Sequence, residues 1–350
     1  MCDSCCSDSD SEIEIQIDSD TDSECPNSPE IVFIPDWDLV KGKINLGLVC
    51  INTILRKDNI FSSRTMIRKN FSVESAQKKS SQNLLDIIPM LNWNVENNIK
   101  CFRLSSDIFP HFTDSETEPY TIDFADPIFE KVSKVVSTSK IRLLMHPGQY
   151  NNVGCKSVDI FDKTSQDLAH HADILNKLKV DLNGVLIVHG GGTYGDKEAT
   201  KRRWIEQFDD LPKKVKERLV IENCEKSYNV RDCLDIAQEC KIPVVFDCHH
   251  YECYDICHPK ETKYEIEEFM PEIIETWKDR RIVMHVSQQA MLPNGKSQRL
   301  GKHSDYITKI PLYMFNIVED YDISYDLEVE AKMKEQAIFK IKEIYPGIFV

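Results

Sequence analysis

The sequence predicts an α/β fold, a closed (β/α)8 TIM barrel behind a disordered acidic N-terminal tail. Eight short runs rich in β-branched residues alternate with longer amphipathic stretches. Continuous apolar strands separated by helices imply a parallel sheet with helices packed over it. Six of the eight runs end in or beside His, Asp or Glu. Strands of such a barrel direct their C-terminal ends to one mouth, so these side chains, far apart along the chain, converge on one pocket. An open doubly wound sheet is the structural alternative, but it would collect its site at one switch point and not at most of its strand ends.

The tail comes first. Residues 1–36 are Ser/Asp-rich, and residues 1–40 hold twelve Asp or Glu and no Lys or Arg. The net charge of the chain is −15, so the remaining residues carry only −3. The acidity therefore does not exclude a polyanionic partner for the body. Such a composition buries too little apolar area to offset the entropy of ordering, which predicts disorder. Thirteen cysteines, irregularly spaced and odd in number, follow no apolar signal segment. That pattern points to reduced thiols and an intracellular, soluble protein. No run approaches the 18 or so apolar residues of a membrane span.

The barrel domain is expected over residues 41–350, near the ~250 residues such a barrel needs plus extensions. Its strand runs are INLGLVCIN (44–52), KCFRLSS (100–106), IRLLMHP (141–147), GVLIVHG (184–190), RLVIEN (218–223), IPVVFDCHH (242–250), RIVMHVS (281–287) and SYDLEVEA (324–331). The spacers read as helices. Asp159 and Asp162 lie near the start of one, and Asp196 is placed to cap another.

The strand ends supply His146, His189, Glu222, Asp247, His250, His285 and Glu330. Two imidazoles and a carboxylate can hold one metal, and a carboxylate can bridge to a second. In strand geometry His250 faces away from Asp247, so a turn at the strand end is needed to bring both inward. Each residue alone has a bland reading: a hydrogen-bonded structural His, a helix-capping Glu, a loop-anchoring Asp. Together they favour a multi-metal hydrolytic site, because unpartnered buried carboxylates cost several kcal/mol. The Cys/His-rich stretch DCHHYECYDICHP suggests a zinc finger through Cys248, Cys253, Cys257 and His258, but its spacing matches no standard pair. GGGTYG (190–195) lacks the phosphate-loop signatures and reads as backbone room beside His189.

At LVCINTILR, FRLSSDIFPH, MHPGQY, HGGGTYGDKEAT, VIENCEKSY, IPVVFDCHH and VEAKMKEQA the chain resembles the UV damage endonuclease family of the UvdE type. The resemblance implies a barrel similar to endonuclease IV and a DNA repair endonuclease that hydrolyses the phosphodiester 5′ to UV photolesions (cyclobutane pyrimidine dimers and 6-4 photoproducts). It implies metal ligation by His146, His189, Glu222, Asp247, His250, His285 and Glu330, with Glu222, His250 and His285 at the centre of catalysis. Glu328 also faces inward by strand period; Glu330 is preferred because it lies in VEAKMKE. Two or three divalent metals are expected, Mn2+ foremost, with Mg2+ or Zn2+ able to serve.

Gln149 and Tyr150 match the pair with which the family probes a lesion. Asn52, Arg103, Lys296, Arg299 and His303 are expected to contact DNA or its phosphates, and basic clusters at Arg56–Lys69, Lys197–Arg203 and Lys296–Lys302 are expected to give the catalytic face a positive rim. The partner is UV-damaged double-stranded DNA and the protein is expected to be monomeric. Two positions depart from the family: Val283 stands where a carboxylated Lys helps hold a metal, and Leu48 where a Tyr is expected. The alternatives are a catalytically weakened photolesion-binding protein and a metal-dependent sugar isomerase or epimerase on a related barrel.

Overall fold

The computed structural model describes residues 35–349. The acidic tail and its cysteines lie outside them, except for residues 35 and 36 of the expected 1–36 segment. The eight strands are β1 (Ile44–Val49), β2 (Cys101–Leu104), β3 (Arg142–Met145), β4 (Leu186–His189), β5 (Leu219–Glu222), β6 (Val244–Asp247), β7 (Ile282–Val286) and β8 (Tyr325–Val329). They form a closed ring in chain order, all pairs parallel, with β8 returning to β1 through Ile44↔Tyr325. Closure removes both sheet edges and excludes the open-sheet alternative.

Every strand is shorter than its apolar run, because the polar ends turn into loops or helix caps. The clearest case is IPVVFDCHH. Its strand stops at Asp247, and Cys248–Cys257 is helical. The Asp247 carboxylate accepts from the His250 backbone N–H at 2.8 Å, capping that helix. Strand residues are buried on both faces, outward against helices and inward in the barrel, which explains the lack of polar alternation.

Caps fix the surrounding helices. Ser157 caps Val158–Lys177, accepting from Ile160 N. Asp159 and Asp162 therefore lie inside this helix and do not cap it. Asp196 caps Lys197–Asp209, and Asn229 with Asp232 forms a capping box on Val230–Cys240. At the N-terminal end of the barrel the buried Asp326 carboxylate accepts from Asn45 (2.8 Å), Arg142 (3.0 Å) and Arg281 (2.6 Å), tying β1, β3 and β8 to the residue that leads into β7. Among the described residues no helix is long and apolar enough to cross a membrane.

Candidate metal centre

The expected metal-binding side chains meet at the C-terminal mouth. Register brings them there in pairs: His189 lies beside Glu222, Asp247 beside His285, and His285 beside Glu328. Glu222, almost fully buried, is the hub. Its Oε2 lies 3.0 Å from His146 Nε2 and 3.9 Å from His189 Nε2; its Oε1 lies 2.9 Å from His285 Nδ1 and 3.5 Å from His250 Nδ1. The helical turn at Cys248 swings His250 inward, resolving the strand-parity problem. Its Nδ1 lies 3.1 Å from the Asn223 carbonyl and 3.6 Å from Asp247 Oδ2.

Three sets of ligand atoms lie within 4.8 Å of one another: His146/His189/Glu222, Glu222/Asp247/His250 and Asp247/His285/Glu330. The residues fit a divalent cation by their own chemistry. Asp247 Oδ2 and His189 Nδ1 are buried with no hydrogen-bond partner, and an orphaned buried carboxylate oxygen is costly unless a cation meets it. The Nδ1 of His146 sits 3.2 Å from the Pro147 carbonyl, which leaves Nε2 facing the pocket.

The electrostatics are those of a tightly paired cluster. Burial opposes the charge on Glu222, yet His285, His189 and hydrogen bonds from His146 and His250 hold its carboxyl well below the usual range. Burial likewise opposes a proton on His285, but Glu222 and Glu328 more than offset it and push its pKa up to about 10. His250 is raised well above the ordinary imidazole value by Asp247 and Glu222, despite burial. His189 is lowered, by burial first.

Arg103, expected at a phosphate, lies within the carboxylate cluster. Its guanidinium is buried, with Nε 2.9 Å from Glu328 Oε2 and Nη1 2.6 Å from Glu330 Oε1. Glu328, paired to Arg103 and 2.9 Å from His285 Nε2, supports the ligands, while Glu330 joins Asp247 and His285. FRLSS carries Arg103 on a strand interior, and the inward period of β2 was the available signal. Asn223 was also missed. Its side chain bonds both the N–H and the carbonyl of Asp247 at 2.9 Å, fixing β6 against β5. Asn52 is fully buried and its oxygen accepts from Ile54 and Leu55 N–H, so that atom caps a helix and does not meet a ligand.

Gln149 and Tyr150 sit on the loop after β3, and Tyr150 is 77% exposed. His303 Nδ1 lies 3.6 Å from Glu330 Oε2. Lys296 and Arg299 are exposed on the loop after β7. In the other basic clusters four side chains are paired with acids: Arg64 with Asp86, Arg68 with Asp114, Lys197 with Asp232, and Lys201 with Asp235. Cys248, Cys253 and Cys257 are thiols on the helix after β6, outside the three ligand sets. The GGG loop serves packing: a Cβ at Gly190 would meet the Tyr228 ring at 2.5 Å, and Gly191 has φ +87°. Val283 and Leu48 are fully buried apolar residues.

A closed (β/α)8 barrel with a buried His–carboxylate cluster at its C-terminal mouth defines a class, barrel proteins equipped to hold divalent cations. The family of UV-endonuclease UvdE matches residues 44–348, and the chain belongs to it. A putative UV-damage endonuclease of Acanthamoeba polyphaga mimivirus is 33% identical over 310 residues, covering 85% of this chain and 90% of the relative. The UV-damage endonuclease of Schizosaccharomyces pombe is 36% identical over 312 residues, covering 86% of this chain but only 50% of the relative. The chain thus spans about half the length of that yeast protein. The crystal structure of SacUVDE superposes with a TM-score of 0.73 at 28% identity, covering 86% of this chain and 97% of the other. Endonuclease IV from Thermus thermophilus shares the fold alone, with a TM-score of 0.51 at 12% identity, covering 87% of this chain and 98% of the other.

Proposed function

We propose that this chain is a DNA repair endonuclease that hydrolyses the phosphodiester 5′ to UV photolesions, leaving a 3′-hydroxyl and a 5′-phosphate. The observation that carries it is the Glu222 carboxylate set among four imidazoles, with the orphaned Asp247 oxygen beside it, at the mouth of a barrel of this family. His146, His189 and Glu222 would hold one cation, and Asp247, His285 and Glu330 another, with His250 between them. Bound Mn2+ would activate water and stabilise charge on the phosphoryl oxygens; mixed imidazole and carboxylate donors favour Mn2+ or Zn2+ over Mg2+.

The chain's own residues do the rest. Arg103 and Glu328 orient Glu330 and His285. Asn223 holds Asp247 and the His250 turn in place. Gln149 and Tyr150 enter the duplex where a photolesion has weakened stacking, so damage is selected with no reading of base sequence. Extruding bases costs a few kcal/mol, least at a distorted site.

The test is incubation with UV-irradiated and untreated plasmid plus Mn2+, with and without chelator. Chelator-sensitive nicking of irradiated plasmid alone is expected. The buried Val283, in place of a ligand, favours one second reading, a lesion binder without catalysis. Retention of irradiated DNA without nicking would establish that reading.

A further inference from the structure

Residues 288–304, after β7, form an arm that the catalytic reading leaves largely unused. Antiparallel bridges join Gln289 to His303 and Met291 to Ser297. Backbone bonds Ala290 N→Lys302 O (2.7 Å), Gln298 N→Ala290 O (2.9 Å) and Leu292 N→Lys296 O (2.7 Å) zip the two strands. The Gln289 side chain cross-braces them, donating to Arg299 O (3.0 Å) and accepting from Gly301 N (2.9 Å). Gly295, at φ +81°, makes the turn. The base of the arm is fixed to the metal centre through His303 and Glu330.

The tip is apolar. Met291 is 51% and Leu292 42% exposed, with Pro293 beside them. A two-stranded arm has no core in which to bury them. From Gln289 to Leu292 the arm reaches about 10 Å beyond its base. Residues 288–304 contain Lys296, Arg299 and Lys302 but no Asp or Glu, in a chain of net charge −15. β3 and β7 are four strands apart in the eight-strand ring, so the arm stands across the mouth from the loop of Gln149 and Tyr150.

We propose that this hairpin is a second DNA probe. Met291 and Leu292 enter the minor groove and wedge into the base step beside the photolesion, while Lys296, Arg299 and Lys302 hold the flanking phosphates. Apolar side chains backed by Lys and Arg unstack a step in this way, and unstacking is least costly where damage has already loosened it. Duplex lying over the mouth is gripped from two opposite sides, with the scissile phosphate held above Glu222 between them. The inference rests on the lesion-endonuclease reading.

The test uses the full chain and a short duplex holding one thymine dimer, with 2-aminopurine in the adjacent step, followed before nicking. For the unsubstituted protein, fluorescence should rise on binding as the step opens. M291S/L292S should lose that rise and weaken binding of the lesion duplex about tenfold, the order of one lost contact with a base. Its metal content and its affinity for undamaged duplex should not change. M291F/L292F should restore the signal. K296A/K302A should instead weaken damaged and undamaged duplex alike and flatten the salt dependence. Unchanged fluorescence and affinity in M291S/L292S would overturn this inference alone. Failure of the unsubstituted protein to prefer damaged duplex would overturn the lesion-endonuclease reading as well.

Discussion

Cations and protons compete for the same imidazoles, so metal loading should release protons. His285 in the metal-free protein has its pKa pushed up to about 10, since Glu222 at 2.9 Å and Glu328 at 2.9 Å outweigh the cost of burial. At pH 7 it is cationic, and a ligating imidazole must be neutral. Removing that proton reduces apparent affinity by roughly three powers of ten at pH 7, or ~4 kcal/mol. Affinity for Mn2+ should therefore rise about tenfold per pH unit from pH 6 to 8, and more steeply where His250, also raised, gives up a second proton. Calorimetric titration in two buffers of different ionisation enthalpy should count one to two protons released per chain, by this arithmetic. The stability of the metal-free fold runs the other way. The folded pKa of His285 exceeds the ~6.5 of an unfolded chain, so its ion pairs contribute in full below that pH and are lost as pH rises through about 10. Glu222 and Glu330, held well below the ordinary value, contribute above the ~4.3 of an unfolded chain and are lost on acidification. Affinity independent of pH between 6 and 8, with no proton release, would refute the argument.

Glu222→Gln should lower Mn2+ affinity by about 100-fold or more, exceeding the effect of losing an outer partner, and abolish nicking; metal titration and the plasmid assay check both. Asp326→Ala leaves Arg142 buried without its carboxylate and should cost ~3–5 kcal/mol. Calorimetry should show this as a Tm lower by about 5–10 °C in a domain of this size. Gln149→Ala with Tyr150→Ala should reduce the preference for irradiated over untreated duplex by about tenfold or more and leave metal content unchanged; competition binding and elemental analysis read the two effects.

The barrel was legible because its signals are local and repeated. Six of the eight β-branched runs end in or beside a His, Asp or Glu that a barrel directs into the mouth, and the order of strands around the barrel follows the order of the chain. GVLIVH and RLVIE therefore place His189 beside Glu222 without any long-range information. What stayed illegible depends on partners. Arg103 reads as a DNA contact until β8 is known to bring Glu328 and Glu330 against it. Arg68, Lys197 and Lys201 read as a basic rim until acids from other elements neutralise them. The side chain of Asn223 doubles as a rung between two strands, a role with no sequence period at all.

The number of cations follows from the same partners. Of the three ligand sets, His146/His189/Glu222 and Asp247/His285/Glu330 share no residue; the middle set borrows Glu222 and Asp247 and adds only His250. The mouth holds Glu222, Asp247, Glu328 and Glu330, with Glu225 close enough to act on His189 and His250, and both Glu328 and Glu330 pair with the Arg103 guanidinium. A third cation has no independent ligand set, and the buried Val283 supplies no ligand. The physical expectation is two tightly held cations per chain after dialysis and a third that exchanges freely. Elemental analysis of the purified protein decides it: a dialysis-resistant content of three would show that the middle set is a full site and that a ligand at position 283 is dispensable.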